Sequence, residues 1–198
     1  MRKPLALLVA FSLAGALIPP AVAVEPASAT PENSAAASPE DRLDTLFSEL
    51  KRQRNERAAE RIASRIAQEW NKSGSASVDL MMLWSKDAIE KQRFDIALDF
   101  LDQVVTLSPD FAEGWNRRAT VHFMMGNHRK AMADIDRTLQ LEPRHFGALS
   151  GMAAMLKNAG RKQLALDAFQ RVLELYPMMR SAQSEVAALS EELAGEGI

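Results

Sequence analysis

The sequence predicts an all-α solenoid of about nine helices, built from helix–turn–helix units. Three observations carry that expectation. The chain matches itself at an offset of 34 residues: Ala97, Ala131 and Ala165 fall in line, as do Leu107, Leu141 and Leu175, and Pro109, Pro143 and Pro177. Gly126 and Gly160 recur in the same register, with Gln92 at the corresponding place, where a helix must end in a left-handed turn. Composition agrees, since aromatics are only 6% of 198 residues while Ala and Leu abound.

Bulk chemistry narrows the function classes. Hydrophobic residues make up 47% and charged residues 25%, ordinary usage for a folded soluble chain. The 24 basic and 26 acidic side chains leave a net charge of −2, so no global basic field invites nucleic acid. Cysteine is absent, which excludes disulfides, thiolate metal sites, a Cys nucleophile and lipid anchoring through a cysteine.

Taken in order, the first element reads as an address. Arg2 and Lys3 precede an apolar run from Leu5 to Ile18, and Ala21 and Ala23 form an A-x-A cleavage site. The run is shorter than the ~20 residues a spanning helix requires. A signal peptide over residues 1–23, cleaved after Ala23, is therefore expected, with a periplasmic product that is not a lipoprotein and has no transmembrane segment. Residues 24–40, rich in Pro, Ala and Ser, read as a disordered linker. Its end, Ser38-Pro39-Glu40-Asp41, sets a capping hydroxyl before Pro and two acids, the signature of a helix start.

Residues 41–77 carry an apolar stripe of Leu43, Phe47 and Leu50, then Ala58, Ile62 and Ile66. The spacing predicts a helix pair that serves as a degenerate first repeat. Three units follow, 78–111, 112–145 and 146–179. In each, a small Ala lets the second helix pack closely on the first, and a Pro stops that second helix. Asp110 with Glu113 reads as the cap of the next helix. Trp115 and Ala119, four apart, are expected to face the repeat core. The remainder, 180–198, predicts a capping helix and tail: Ala182, Val186, Leu189 and Leu193 line one face, with charge on the other.

A 34-residue period of helix–turn–helix units resembles the tetratricopeptide repeat (TPR) family, whose pattern is W-x2-L-G-x2-Y, then A-x3-F, then P. Trp115, Ala119 and His122 match it loosely; Ala165-x3-Phe169 and the three prolines match it well. Leu101 and Ile135 replace Phe, and Met81 and Leu149 replace Trp. The resemblance implies a right-handed superhelix whose first helices line a concave groove that receives peptides. Carried over by repeat phase, that groove holds Asp79, Met82, Lys86 and Ile89, then Glu113, Asn116, Thr120 and Phe123, then Gly147, Ser150, Ala154 and Lys157. Asn116 suits pairing with a ligand amide or simple solvation, and Phe123 suits packing or ligand anchoring. The basic clamp that some family members use for a terminal carboxylate is incomplete: Lys86 and Asn116 are present, but Gly147 and Ser150 stand where later members belong.

Catalytic signatures are sparse. Ser48-Glu49-Leu50-Lys51 fits S-x-x-K without its companion motifs and reads as a solvated helix face. Asp134 and Asp136 point in different directions on a helix, and His122, His128 and His145 lack metal-ligand spacing, so no catalytic residue, metal or cofactor is expected. The paired methionines, such as Met124-Met125, suit either repeat packing or an adaptable apolar surface. Arg57, Arg61 and Arg65 form a basic stripe, either a solvated face or a patch for an anionic partner. The resemblance implies a non-enzymatic, exported TPR scaffold for protein or peptide partners in the cell envelope, supporting integrity or assembly. A periplasmic peptide-binding assembly chaperone is the alternative, and a hydrolase with an unrecognised site a more distant one.

Overall fold

A computed structural model describes residues 38–195, among which there are nine α-helices and no strand. The helices are α1 (Pro39–Arg52), α2 (Glu56–Trp70), α3 (Ala76–Glu90), α4 (Phe94–Leu107), α5 (Ala112–Met124), α6 (His128–Leu141), α7 (Phe146–Asn158), α8 (Lys162–Leu175) and α9 (Arg180–Gly195). The expected signal peptide and most of the expected linker lie outside the described residues. Helix α1 begins at Pro39, inside the span read as linker. Ser38 and Asp41 exchange the reciprocal hydrogen bonds of a capping box there.

The repeat punctuation does the physical work expected of it. Gly126 and Gly160 adopt φ of 75° and 72°, and Gln92 is forced to 56° in the same register. Each closes its helix with a paired bond set, such as Gly126 N to Phe123 O and Asn127 N to His122 O. Each proline starts a tight turn: Phe111 N bonds Ser108 O, His145 N bonds Glu142 O and Met179 N bonds Tyr176 O. Ala97, Ala131 and Ala165 are fully buried, so α3–α4, α5–α6 and α7–α8 close tightly as pairs. Helix α9 packs on α8 through Ala182 and Leu189, with Val186 and Leu193 partly buried beside them.

The first pair departs from expectation. Helices α1 and α2 pack on each other, α1 packs on α8, and no extended interface joins α2 to α3 among the described residues. The pair is a hairpin folded back onto the turns before α7 and α9, not a first repeat stacked on the array. Leu46, Phe47, Leu50, Ala59, Ala63, Ile66 and Trp70 share one core with Tyr176, flanked by Phe146, Met178 and Met179. The buried stripe of α2 runs through Ala59 and Ala63, one residue beyond the expected Ala58 and Ile62, which are half-buried.

The array itself explains why the hairpin sits elsewhere. Where one repeat stacks on the previous one, the leading helix carries small residues. A Cβ on Gly114 would lie 2.7 Å from Val104 Cγ1 of the preceding unit, and one on Gly151 would lie 3.3 Å from Ile135 Cδ1. In α3 the position one period before Gly114 and two before Ala148 is Leu80. Its large side chain leaves no room for a preceding repeat of the same geometry.

Candidate functional site

The concave faces of α5 and α7 form a cleft of about 150 Å³, lined by Asn116, Thr120 and Phe123 on one side and Gly147, Gly151, Ala154 and Met155 on the other. Missing side chains at Gly147 and Gly151 open it. Phe123 is 36% exposed, with its ring 5.5 Å from that of His128. Asn116 Nδ2 donates to Glu113 Oε2 at 2.9 Å, which leaves its amide oxygen free to accept from a ligand. Thr120 is exposed, and its hydroxyl donates to the Asn116 carbonyl. The walls are apolar, with one amide and one hydroxyl to orient a bound chain.

The other groove candidates do not join this cleft. Met82 is only 3% exposed and belongs to the core of the first unit, because its side chain points between α3 and α4; as a groove residue it is corrected. Ile89 is half-buried against the same core. Lys86 is exposed and lies 3.8 Å from Glu90. The Ser150 hydroxyl donates to Phe146 O, and Lys157 is bound to Glu185 at 2.6 Å. Arg57 and Arg61 are exposed without an ion pair among the described residues, whereas Arg65 lies 3.5 Å from Glu49.

Glu113 is likewise no free groove acid, and it does not form a cap with Asp110, which is exposed and faces Arg137. Its carboxylate is enclosed by Arg117 at 2.9 Å, Asn116, and His145 Nε2 at 3.2 Å. Burial resists ionisation there, but the hydrogen bond from His145, with the Arg117 charge and the Asn116 hydrogen bond, outweighs it and holds the carboxyl below the ordinary glutamate range. His145 Nδ1 accepts from the Ala148 N–H and so caps α7, which leaves the ring proton on Nε2 to donate to Glu113. Glu142 is held low in the same way: burial opposes its charge, and Arg144, aided by Trp70, overcomes that. Arg144 also reaches Asp44 and lies over the Phe47 ring, tying the hairpin to the turn before α7.

Two further placements bear on the repeat core. Ala119 is buried, but Trp115 is half-buried: its indole donates to Pro109 O at 2.9 Å and Arg118 stacks on its ring. The tight turn at Pro109 offers a carbonyl that draws the indole to the surface. His122 is buried in the repeat, and that burial, more than its neighbours, pushes its pKa below the ordinary histidine value. Asp134 is buried under a two-point contact from Arg118 at 2.8 and 2.6 Å, whereas Asp136 is exposed. Among the described residues no group of three or more His, Cys, Asp or Glu side chains is placed to hold a metal. None of the described helices is long and apolar enough to cross a membrane.

Sequence reasoning missed the junction of His145, Trp70 and Glu113. Its signal was present: His145 sits immediately before α7, at the capping position, and Trp70 is the one aromatic on α2.

Comparison with known proteins agrees with this architecture. A tetratricopeptide repeat family model matches residues 148–177. A TPR repeat-containing protein of Rhizobium etli is 51% identical over 195 residues, covering 93% of this chain and 96% of that protein. The chain belongs to the tetratricopeptide repeat family. Among structures, the first TPR domain of Spaghetti (RPAP3) bound to an HSP90 peptide superposes with a TM-score of 0.58 at 22% identity, covering 61% of this chain and 95% of that one. The TPR2B domain of yeast Sti1 in its Hsp70 complex gives 0.55 at 17% identity, covering 60% and 99%.

Proposed function

We propose that this protein is a non-enzymatic interaction scaffold that holds an extended peptide segment of a partner in the α5–α7 cleft. The observation that carries the reading is the cleft itself, lined by Gly147, Gly151, Phe123 and Asn116, whose amide nitrogen is already taken by Glu113. The HSP90-peptide and Hsp70 complexes of the structural neighbours support a peptide as the ligand type. The apolar lining here favours small and apolar side chains over an acidic chain end, for which the later basic clamp positions hold Gly147 and Ser150. Cross-linked capture of partners by the parent and by Asn116→Ala/Phe123→Ser tests this. The double variant should lose capture with helicity intact; equal capture would move the site elsewhere, with the Arg57, Arg61 and Arg65 stripe next in line.

The basic-apolar-small order of residues 1–23 supports export and a role among envelope proteins. Intact mass of the protein from a cell fraction tests the processing: a product beginning at Val24 in the soluble periplasm is expected, and a full-length or membrane-pelleted product would reject it. One stable captured partner favours the scaffold, and many unfolded clients favour an assembly chaperone.

A further inference from the structure

The outer face of the first repeat is left open. Leu80, Leu83 and Trp84 are 43%, 60% and 46% exposed, and they follow helical spacing along one stripe of α3. Beside them Trp84, Asp87, Ala88, Arg93, Ile96 and Phe100 line an open cleft of about 360 Å³ between α3 and α4, with the Trp84 and Phe100 rings 5.4 Å apart. In the two later units the matching positions are Gly114 and Ala148, Arg117 and Gly151, and Arg118 and Met152, all partly or fully covered by the preceding unit. The first repeat thus puts Leu80 where both later units are small, and Leu83 and Trp84 where their residues are covered, on a face too bulky at Leu80 to accept another repeat and too apolar for an ordinary solvated end.

We propose that this face binds the same face of a second copy of the chain, forming a twofold-symmetric dimer through α3. The surface meets the requirement of such a contact, a projection and a recess on one patch. Leu80 and Leu83 project about one turn before the cleft centred on Trp84 and Ala88. Two α3 helices laid antiparallel, with the axis near Trp84, seat the leucines of each copy in the cleft of the other. That arrangement also opposes the helix dipoles and sets Asp79, in the first turn, toward Lys91 and Arg93 at the far end of the second copy's helix. The apolar surface covered is on the order of 400 Å² per copy, about half of a standard interface, so the association is weak, with a Kd of about 10–100 μM.

Sedimentation equilibrium of the purified protein over a range from about 1 μM to 500 μM tests the proposal, spanning the expected Kd. A monomer–dimer equilibrium is expected. Leu83→Glu, at an exposed position, should weaken it at least about tenfold, the factor equivalent to 1.4 kcal/mol. The control Leu164→Glu, at an exposed position of α8, should leave it unchanged. A monomer throughout overturns the proposal, and hydrogen-exchange protection of α3 in that monomer would assign the face to another segment of the same chain. A dimer indifferent to Leu83→Glu, or equally weakened by Leu164→Glu, also overturns it.

Discussion

Trp70 and His145 lie face to face, with ring centroids 4.1 Å apart and planes 12° from parallel. One ring ends α2 and the other caps α7, so the stack helps join the hairpin to the third repeat. His145→Ala removes the stack, the α7 cap and the Glu113 partner together. Losing a cap costs about 0.5–2 kcal/mol and losing one hydrogen bond to a buried carboxylate about 1.5–3 kcal/mol, so a total of roughly 2–4 kcal/mol is expected. Urea denaturation followed by circular dichroism measures it. A loss under about 0.5 kcal/mol, the range of neutral surface changes, would show that the junction contributes little.

The pH dependence of stability follows from Glu113. Its folded carboxyl titrates below the ordinary value of 4.5, so ionised Glu113 stabilises the fold above that value. The contribution is lost as pH falls through the depressed folded value. Glu113→Gln should cost about 1–3 kcal/mol near neutrality, because His145 and Arg117 lose a charged partner. The gap between parent and variant should shrink toward pH 3. Denaturant midpoints taken between pH 3 and 8 decide it, and a gap independent of pH would contradict the coupling.

Gln92 occupies a left-handed conformation at the position where the later repeats use glycine. A side chain there costs about 1–2 kcal/mol, partly offset by the greater freedom glycine has when unfolded. Gln92→Gly is therefore expected to stabilise the protein by about 0.5–1 kcal/mol. Gly126→Ala should destabilise it by a similar amount. A lower melting temperature for Gln92→Gly would rule out backbone strain at this turn.

Close packing at repeat contacts predicts sensitivity to added volume. Ala131→Leu and Gly114→Ala should each cost about 1–3 kcal/mol, the first by separating α5 from α6 and the second by pushing against Val104. Thermal melts of the two variants check this. An unchanged melt for Gly114→Ala would mean that α4 and α5 can part without penalty.

The repeat region was largely legible in the sequence, because period, Gly and Pro are local signals that each unit must satisfy for itself. The buried Ala97, Ala131 and Ala165 and the turns at Pro109, Pro143 and Pro177 follow from that. The hairpin's docking was not, since apolar periodicity says that a helix has a buried face without saying what covers it. Phe47 and Trp70 would look the same against α3 as against Phe146. Met82 and Glu113 were misplaced for a related reason: repeat phase fixes a position on the helix, but Met82 is taken up by the apolar core of its unit and Glu113 is drawn inward by Arg117 and His145. One clue was readable, in the contrast of Leu80 with Gly114 and Ala148 at the same register.

The ties from Asp44 to Arg144 and from Glu56 to Arg180 join residues 100 and 124 positions apart. A stack of repeats can grow from any point by adding neighbours, but this chain closes on itself. During synthesis the hairpin precedes its docking surface, which is complete only once residues through Arg180 have followed. Phe47 and Trp70 therefore wait, uncovered on one side, until the turn before α9 arrives, and among the described helices the first pair made is the last to settle.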